Sequence, residues 1–194
     1  MVETIAPVVH GGRRKSYWGS VLLHSVAATA AAAGVGALLG AIGMGLSAPW
    51  GVASFVALAS VAAVYALRES FQLPIPVPDR HRQVPEWWRT FYSLPVAATL
   101  YGLGLGIGFL TYLSFGTYVA VAAAALLFGD PLLGAALCAP FGLARGLSVV
   151  AWSLGTSSPN DSLVRIENLS NTRAPRVVNA LALGAIAIAA LVSF

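Results

Sequence analysis

Tyr101-Gly-Leu-Gly-Leu-Gly-Ile-Gly108, inside the apolar run from Leu94 to Trp152, is the stretch whose reading decides the fold. The run breaks at Gly129-Asp130-Pro131 and resumes through Cys138-Ala-Pro-Phe-Gly-Leu-Ala-Arg145-Gly. Its only charges are Asp130, at the break, and Arg145, within apolar sequence. A helix needs about 20 mostly apolar residues to cross about 30 Å of hydrocarbon, and this run is long enough to do so more than once. No strand-like segment precedes the glycines, so they do not read as a nucleotide-binding loop. Gly102/Gly106 and Gly104/Gly108 are instead interleaved GxxxG pairs, the pattern that lets membrane helices approach closely.

The rest of the chain has the same character. Soluble domains carry about 25% charged residues; these 194 residues carry 9%, are 58% hydrophobic and have a mean hydropathy of +0.79. The expectation is an all-α polytopic integral membrane protein, a bundle of six transmembrane helices. A cytoplasmic tail (1–16) precedes one transmembrane domain (17–194), with spans at about 17–46, 50–67, 95–113, 114–128, 131–154 and 177–194. Gly36 and Gly40 give the first span a small-xxx-small face. Arg68-Glu69 marks the end of the second. Leu73-Pro-Ile-Pro-Val-Pro78 excludes helix and predicts extended chain. Trp87, Trp88 and Tyr92 suit the headgroup level. Asp130 before Pro131 reads as an N-cap with proline at N1, and Pro140 with Gly142 predicts a kink or unwinding in the fifth span. A self-match at an offset of 65, Ile42-Gly43 with Ile107-Gly108, hints at a duplication of the first two spans in the next two.

The net charge of +4 reflects basic residues at the flanks of the spans and gives no nucleic-acid signature. With the N-terminus inside, Arg13, Arg14, Lys15, Arg68, Arg80, Arg82 and Arg89 are cytoplasmic, and Arg165, Arg173 and Arg176 are outside. The positive-inside rule then puts both termini in the cytoplasm and the protein in the plasma membrane. The partners implied are the lipid bilayer and either another membrane protein or further copies of the chain.

Arg145 is the sharpest candidate for function. A guanidinium in a span costs about 2.5–3.5 kcal/mol on insertion scales, so it calls for a compensating partner or a watery cavity. Its alternative is to snorkel to a nearby membrane face. Thr111, Tyr112, Ser114, Thr117 and Tyr118 form the most polar region within the spans. Arg145 with Tyr112, Thr117 and Tyr118 is therefore the expected binding set for an anionic group. His24 reads as a hydrogen-bonded packing residue, with a proton pathway as the alternative. The single cysteine, Cys138, allows no intrachain disulfide, and the histidines share no metal-ligand spacing, so no metal or cofactor is expected. No nucleophile–base pair is present, which argues against an enzyme.

Gly108-Phe-Leu-Thr-Tyr-Leu-Ser114, Tyr118, Gly129-Asp-Pro131, Gly134 and Phe141-Gly-Leu-Ala-Arg-Gly-Leu147 together resemble the DsbD-type cytochrome c biogenesis transmembrane proteins over roughly residues 100–150. The resemblance implies a six-helix bundle passing reducing equivalents through two cysteines on different helices. This sequence has no cysteine at 114–116, so such a relay would use Cys138 with a partner's thiol. The readings in play are a carrier with an anion site at Arg145, a non-catalytic subunit packing through its glycine faces, and that thiol relay.

Overall fold

The computed structural model describes residues 14–78, 85, 87–109, 111, 115–153, 168 and 172–193. It is all-helical. Among the described residues six helices carry the fold: α1 Arg14–Gly45, α2 Val52–Phe71, α3 Leu94–Gly106, α4 Thr117–Phe128, α5 Pro131–Ser153 and α6 Ala174–Val192, with one helical turn at Trp88–Phe91. Four of them are long and apolar enough to cross a membrane: Lys15–Gly45, Val52–Phe71, Pro131–Ser148 and Ala174–Val192. The expected third and fourth spans are not. They are helices of 13 and 12 residues, each short of the 20 or so that a crossing requires.

Local chemistry sets most helix ends. Asp130 Oδ1 accepts from the backbone N–H of Leu132 at 2.8 Å and Leu133 at 3.0 Å, the N-cap expected of Asp before Pro. Gly129 closes α4 in the left-handed region at φ 63°. Before α2, the Trp50 N–H donates to Ser54 Oγ at 2.8 Å. α2 ends at Phe71 with Gln72 as its C-cap, and the proline-rich segment after it is not helical, as predicted, though the Ile75 N–H donates to the Leu73 carbonyl at 2.8 Å in a tight turn around Pro74. That segment is tied to α2 by Arg68 Nε donating to the Ile75 carbonyl at 2.7 Å and Tyr65 to the Pro76 carbonyl at 3.1 Å.

Three details differ from the sequence reading. α1 begins at Arg14, inside the expected tail. α2 runs past Arg68-Glu69 to Phe71, and Glu69 is buried: its carboxylate accepts from Arg68 Nη1 at 2.5 Å and from the Gly116 N–H at 3.3 Å. α5 stays helical through Pro140. Pro140 is exposed at the edge of a cavity.

The packing follows from close backbone approach along α1. A Cβ on Gly36 would collide with the Gly134 carbonyl, and one on Gly40 with the Asp130 carbonyl. Gly142 meets Ala28, and Gly146 meets Ser25, so α1 and α5 are antiparallel. Gly102 lies on the His24 carbonyl and Gly106 on the Ala28 carbonyl, so α3 runs parallel to the first half of α1. His24, buried, adds a hydrogen bond from its Nδ1 to the Ala98 carbonyl at 3.2 Å. Farther along, Gly43 meets Leu126 of α4. α4 is antiparallel to α5, with Gly134 near Ala125 and Phe141 stacked on Tyr118.

α3 and α4 therefore run in the same direction, one after the other along α1. They make a single broken passage. α2 packs on the other side of α4 in the opposite sense, with Leu58 and Ala59 beside Ala124 and Leu127, and Ala62 beside Ala120. α6 lies along α2 and α4, with Leu183 near Ala62 and Ala190 near Leu58. The six helices thus make five passages, and the start of α1 and the end of α6 point to opposite ends of the bundle. The suggested duplication fails on the same ground: α1 and α2 are antiparallel, whereas α3 and α4 are in series.

Candidate functional site

The break between α3 and α4 is where the chain's unusual residues meet. Gly108 has φ 74°, a conformation that L side chains rarely adopt, and its Cβ position is filled by the Tyr118 ring. Gly108 therefore turns the chain out of α3 and is not part of a helix-packing pair. Gly102 and Gly106 form the seam against α1, and Gly104 is half-buried on α3.

A helix that ends inside a bundle exposes backbone carbonyls that water would otherwise satisfy. Two side chains from other helices meet that need. Arg145 Nη1 donates to the Leu105 carbonyl at 3.3 Å and to Thr111 Oγ1 at 3.1 Å. Tyr118 donates its hydroxyl to the Ile107 carbonyl at 3.1 Å. Thr111 in turn donates to the Gly108 carbonyl at 3.1 Å. A guanidinium at a helix C-terminus also complements the negative end of the helix dipole. Arg145 is thus held as the electrostatic cap of α3.

Beside this cap lies a cavity of about 580 Å³ among α4, α5 and α6. Phe115, Val121, Leu137 and Phe141 line its apolar part, and Arg145, Thr117, Ser148 and Asn179 its polar part. Tyr118 stacks on Phe141 at a centroid separation of 4.1 Å, and the Arg145 guanidinium carbon sits 5.4 Å from the centre of the Phe141 ring. The Thr117 hydroxyl donates to Asn179 Oδ1, while Asn179 Nδ2 donates to the Pro175 carbonyl at 2.9 Å.

Of the predicted set, Arg145, Thr117 and Tyr118 share this cavity; Tyr112 lies outside the described residues. Asn179 and Ser148 were not anticipated. The signal for Asn179 was available, as the single amide in the apolar run of the last helix. Its contact with Thr117, 62 positions earlier, was not. Cys138 is fully buried on the α1 side of α5, against Gly36, and does not line the cavity. Among the described residues no three His, Cys, Asp or Glu side chains could hold a metal together.

No family model matches the chain, and no solved structure matches it. Curated proteins do. Methylamine utilization protein MauF of Paracoccus versutus is 34% identical over 152 residues, 76% of this chain and 55% of its own length. MauF of Paracoccus denitrificans is 30% identical over 79% of this chain and 56% of its own length. MauF of Methylorubrum extorquens is 37% identical over 62% of this chain and 42% of its own length. The chain is similar to methylamine utilization protein MauF, and its match spans about half the length of those relatives.

Proposed function

We propose that this chain is a carrier-like integral membrane protein that serves methylamine utilization, holding an anionic group in the cavity beside Arg145. The observation that carries this reading is the break of α3 against a cavity, capped by that arginine. Irregular backbone at membrane depth is tolerated where it lines a cavity, and broken helices form the substrate sites of many carriers. A guanidinium at the edge of an apolar chamber favours a negatively charged ligand, and Thr117, Ser148 and Asn179 supply the few polar contacts that orient one.

The topology supports a membrane placement independently of the apolar helix lengths. Lys15 at the start of α1, Arg68 at the end of α2, and Arg173 and Arg176 at the start of α6 are all at the same end. The sequence segments that join those helix ends carry the other loop arginines. By position in the sequence, Arg145 alone of the 11 lysines and arginines falls in the interior of a helix, and the rest fall at those helix ends or in the segments adjoining them. The opposite connections, Leu46–Gly51 and Gly129–Asp130, have none. Counting five passages where the sequence suggested six thus removes the three basic residues that had seemed to lie outside. By the positive-inside rule the basic end is cytoplasmic, in a plasma membrane. The end of α6 then faces the other side, unlike the sequence expectation for the C-terminus.

Depth follows from α1. Gly146, next to Arg145, lies on Ser25, which is about 30 Å along the helix from Gly45 at 1.5 Å per residue. That is one hydrocarbon thickness. Arg145 therefore belongs to the cytoplasmic boundary of the bilayer, and the cavity opens from that level. Trp18 of α1, with Trp87 and Tyr92 just before α3, are exposed at this end, where aromatic rings settle among headgroups.

The seam glycines do not favour the subunit reading. Gly36, Gly40, Gly102 and Gly106 are covered by helices of this same chain.

Filling the cavity tests the proposal. Ala144 lines it and is exposed, so Ala144→Phe fills the chamber while keeping the side chains that cap α3. In a host lacking the gene, the wild-type chain is expected to restore growth on methylamine, and Ala144→Phe is expected not to, at equal protein level in the membrane. Full growth with Ala144→Phe would refute the cavity's role.

A further inference from the structure

The basic end of the bundle holds a second cavity, of about 510 Å³, between the last turn of α2 and the first turns of α6. We propose that it binds the headgroup of an anionic phospholipid. The proposal is separate from the Arg145 cavity but rests on the membrane placement given above.

Three observations carry it. Arg173 and Arg176 line the cavity with exposed side chains, and among the described residues neither guanidinium has a hydrogen-bond or ion-pair partner. The one carboxylate in the wall, Glu69, is committed elsewhere: it is buried and accepts from Arg68 and the Gly116 N–H. Among the described residues the cleft therefore carries two uncompensated positive charges. Beyond them, Val177 and Leu181 of α6 present exposed apolar surface, 53% and 69% accessible, beside Phe71 of α2 at 69%.

The direction of α6 gives this arrangement its meaning. Leu181 is farther than Arg176 from the basic end, so an apolar track leads from the arginines into the hydrocarbon. A phosphodiester on the two guanidiniums would place its acyl chains along that track. A free phosphate would use the arginines and leave the track bare. Arginine suits the role because its planar donors match phosphate oxygens in pairs. Basic side chains at the cytoplasmic face are also where anionic lipids concentrate.

The test uses the full chain purified in mild detergent, with short-chain phosphatidylglycerol and phosphatidylcholine titrated separately and bound lipid read by native mass spectrometry. Phosphatidylglycerol is expected to bind at least about tenfold more tightly than phosphatidylcholine. At roughly a tenfold factor per 1.4 kcal/mol, and about 1 kcal/mol for each basic residue near an anionic surface, Arg173→Gln with Arg176→Gln lowers phosphatidylglycerol affinity about 30-fold. Lys15→Gln removes an exposed charge elsewhere at the same end and is expected to leave the preference intact, as is Ala144→Phe. An undiminished preference in the double variant would overturn the site while leaving the membrane placement standing. Displacement of the lipid by millimolar inorganic phosphate would replace it with a soluble-anion site. A chain that stays soluble without detergent would overturn both the placement and the proposal.

Discussion

Gly134→Leu is expected to prevent the bundle from assembling. At this position the α1 and α5 backbones touch: a Cβ on Gly134 would collide with the Gly36 carbonyl, and one on Gly36 with the Gly134 carbonyl. Overpacking a core usually costs about 1–3 kcal/mol because side chains can give way. Here the obstacle is main chain on both sides, held by further close contacts at Gly40 and Gly142. The cost therefore lies at or above the top of that range, about 3 kcal/mol or more. Gly34 provides the contrast, since it is exposed on α1, two residues from Gly36, with nothing within 4 Å of its Cβ position. Gly34→Leu is expected to purify like the wild type, and Gly134→Leu to be lost from the folded membrane fraction. Equal yields and equal thermal midpoints for the two would refute the packing described here.

Arg145→Met is expected to abolish function and to destabilise the fold, by about 2 kcal/mol. The substitution keeps much of the side-chain length but removes the donor to the Leu105 carbonyl and to Thr111 Oγ1. The Leu105 carbonyl keeps the Gly108 N–H at 3.2 Å, so what is lost is a pair of hydrogen bonds from a charged donor, a class of contact that contributes about 1.5–3 kcal/mol. An opposing effect must be weighed, since removing a charge from an apolar site relieves its desolvation. On the proposed placement Arg145 lies at the boundary of the hydrocarbon and on the negative end of α3, so that relief is small. Arg145→Lys keeps the charge at the helix terminus while losing the planar fork, and its midpoint is expected between those of Met and wild type. The comparison with Ala144→Phe separates two roles. Ala144→Phe is expected to lose growth on methylamine at wild-type stability, whereas Arg145→Met loses both. An Arg145→Met protein as stable as wild type would show that the α3 cap does not hold the break together.

The sequence was most legible where local chemistry decides the outcome. Asp130-Pro131 marks the start of α5 because an N-cap and a proline at N1 are satisfied within one turn. The alternating prolines at 74–78 exclude helix wherever they fall. Arg145, Thr117 and Tyr118 stood out because polar groups in an apolar run need partners, and the structure brings them to one cavity. The break at 107–116 was not legible. Hydropathy across 95–113 is that of a crossing helix, and GxxxG spacing reads the same in an intact helix as in one that ends at Gly106. What ends α3 there is tertiary: the turn at Gly108, with Tyr118 from α4 and Arg145 from α5 taking its carbonyls. A break supplied by residues up to 40 positions away leaves no local trace. The miscount of passages follows from it, because two helices in series have the same hydropathy profile as two that cross in opposite directions. Pro140 lies within α5, so of the kink or unwinding expected there the unwinding does not occur.

The number of passages is the claim on which the placement of Arg145 and the sidedness of every loop depend. It is tested most directly by labelling single cysteines, introduced into a Cys138→Ala background, with a membrane-impermeant maleimide from each side of oriented vesicles. Gln72→Cys and Thr172→Cys are expected to react from the cytoplasmic side, and Ser47→Cys and Ser193→Cys from the opposite side. Six crossings would instead place Thr172 with Ser47, and Ser193 with Gln72, and that pairing would contradict the account.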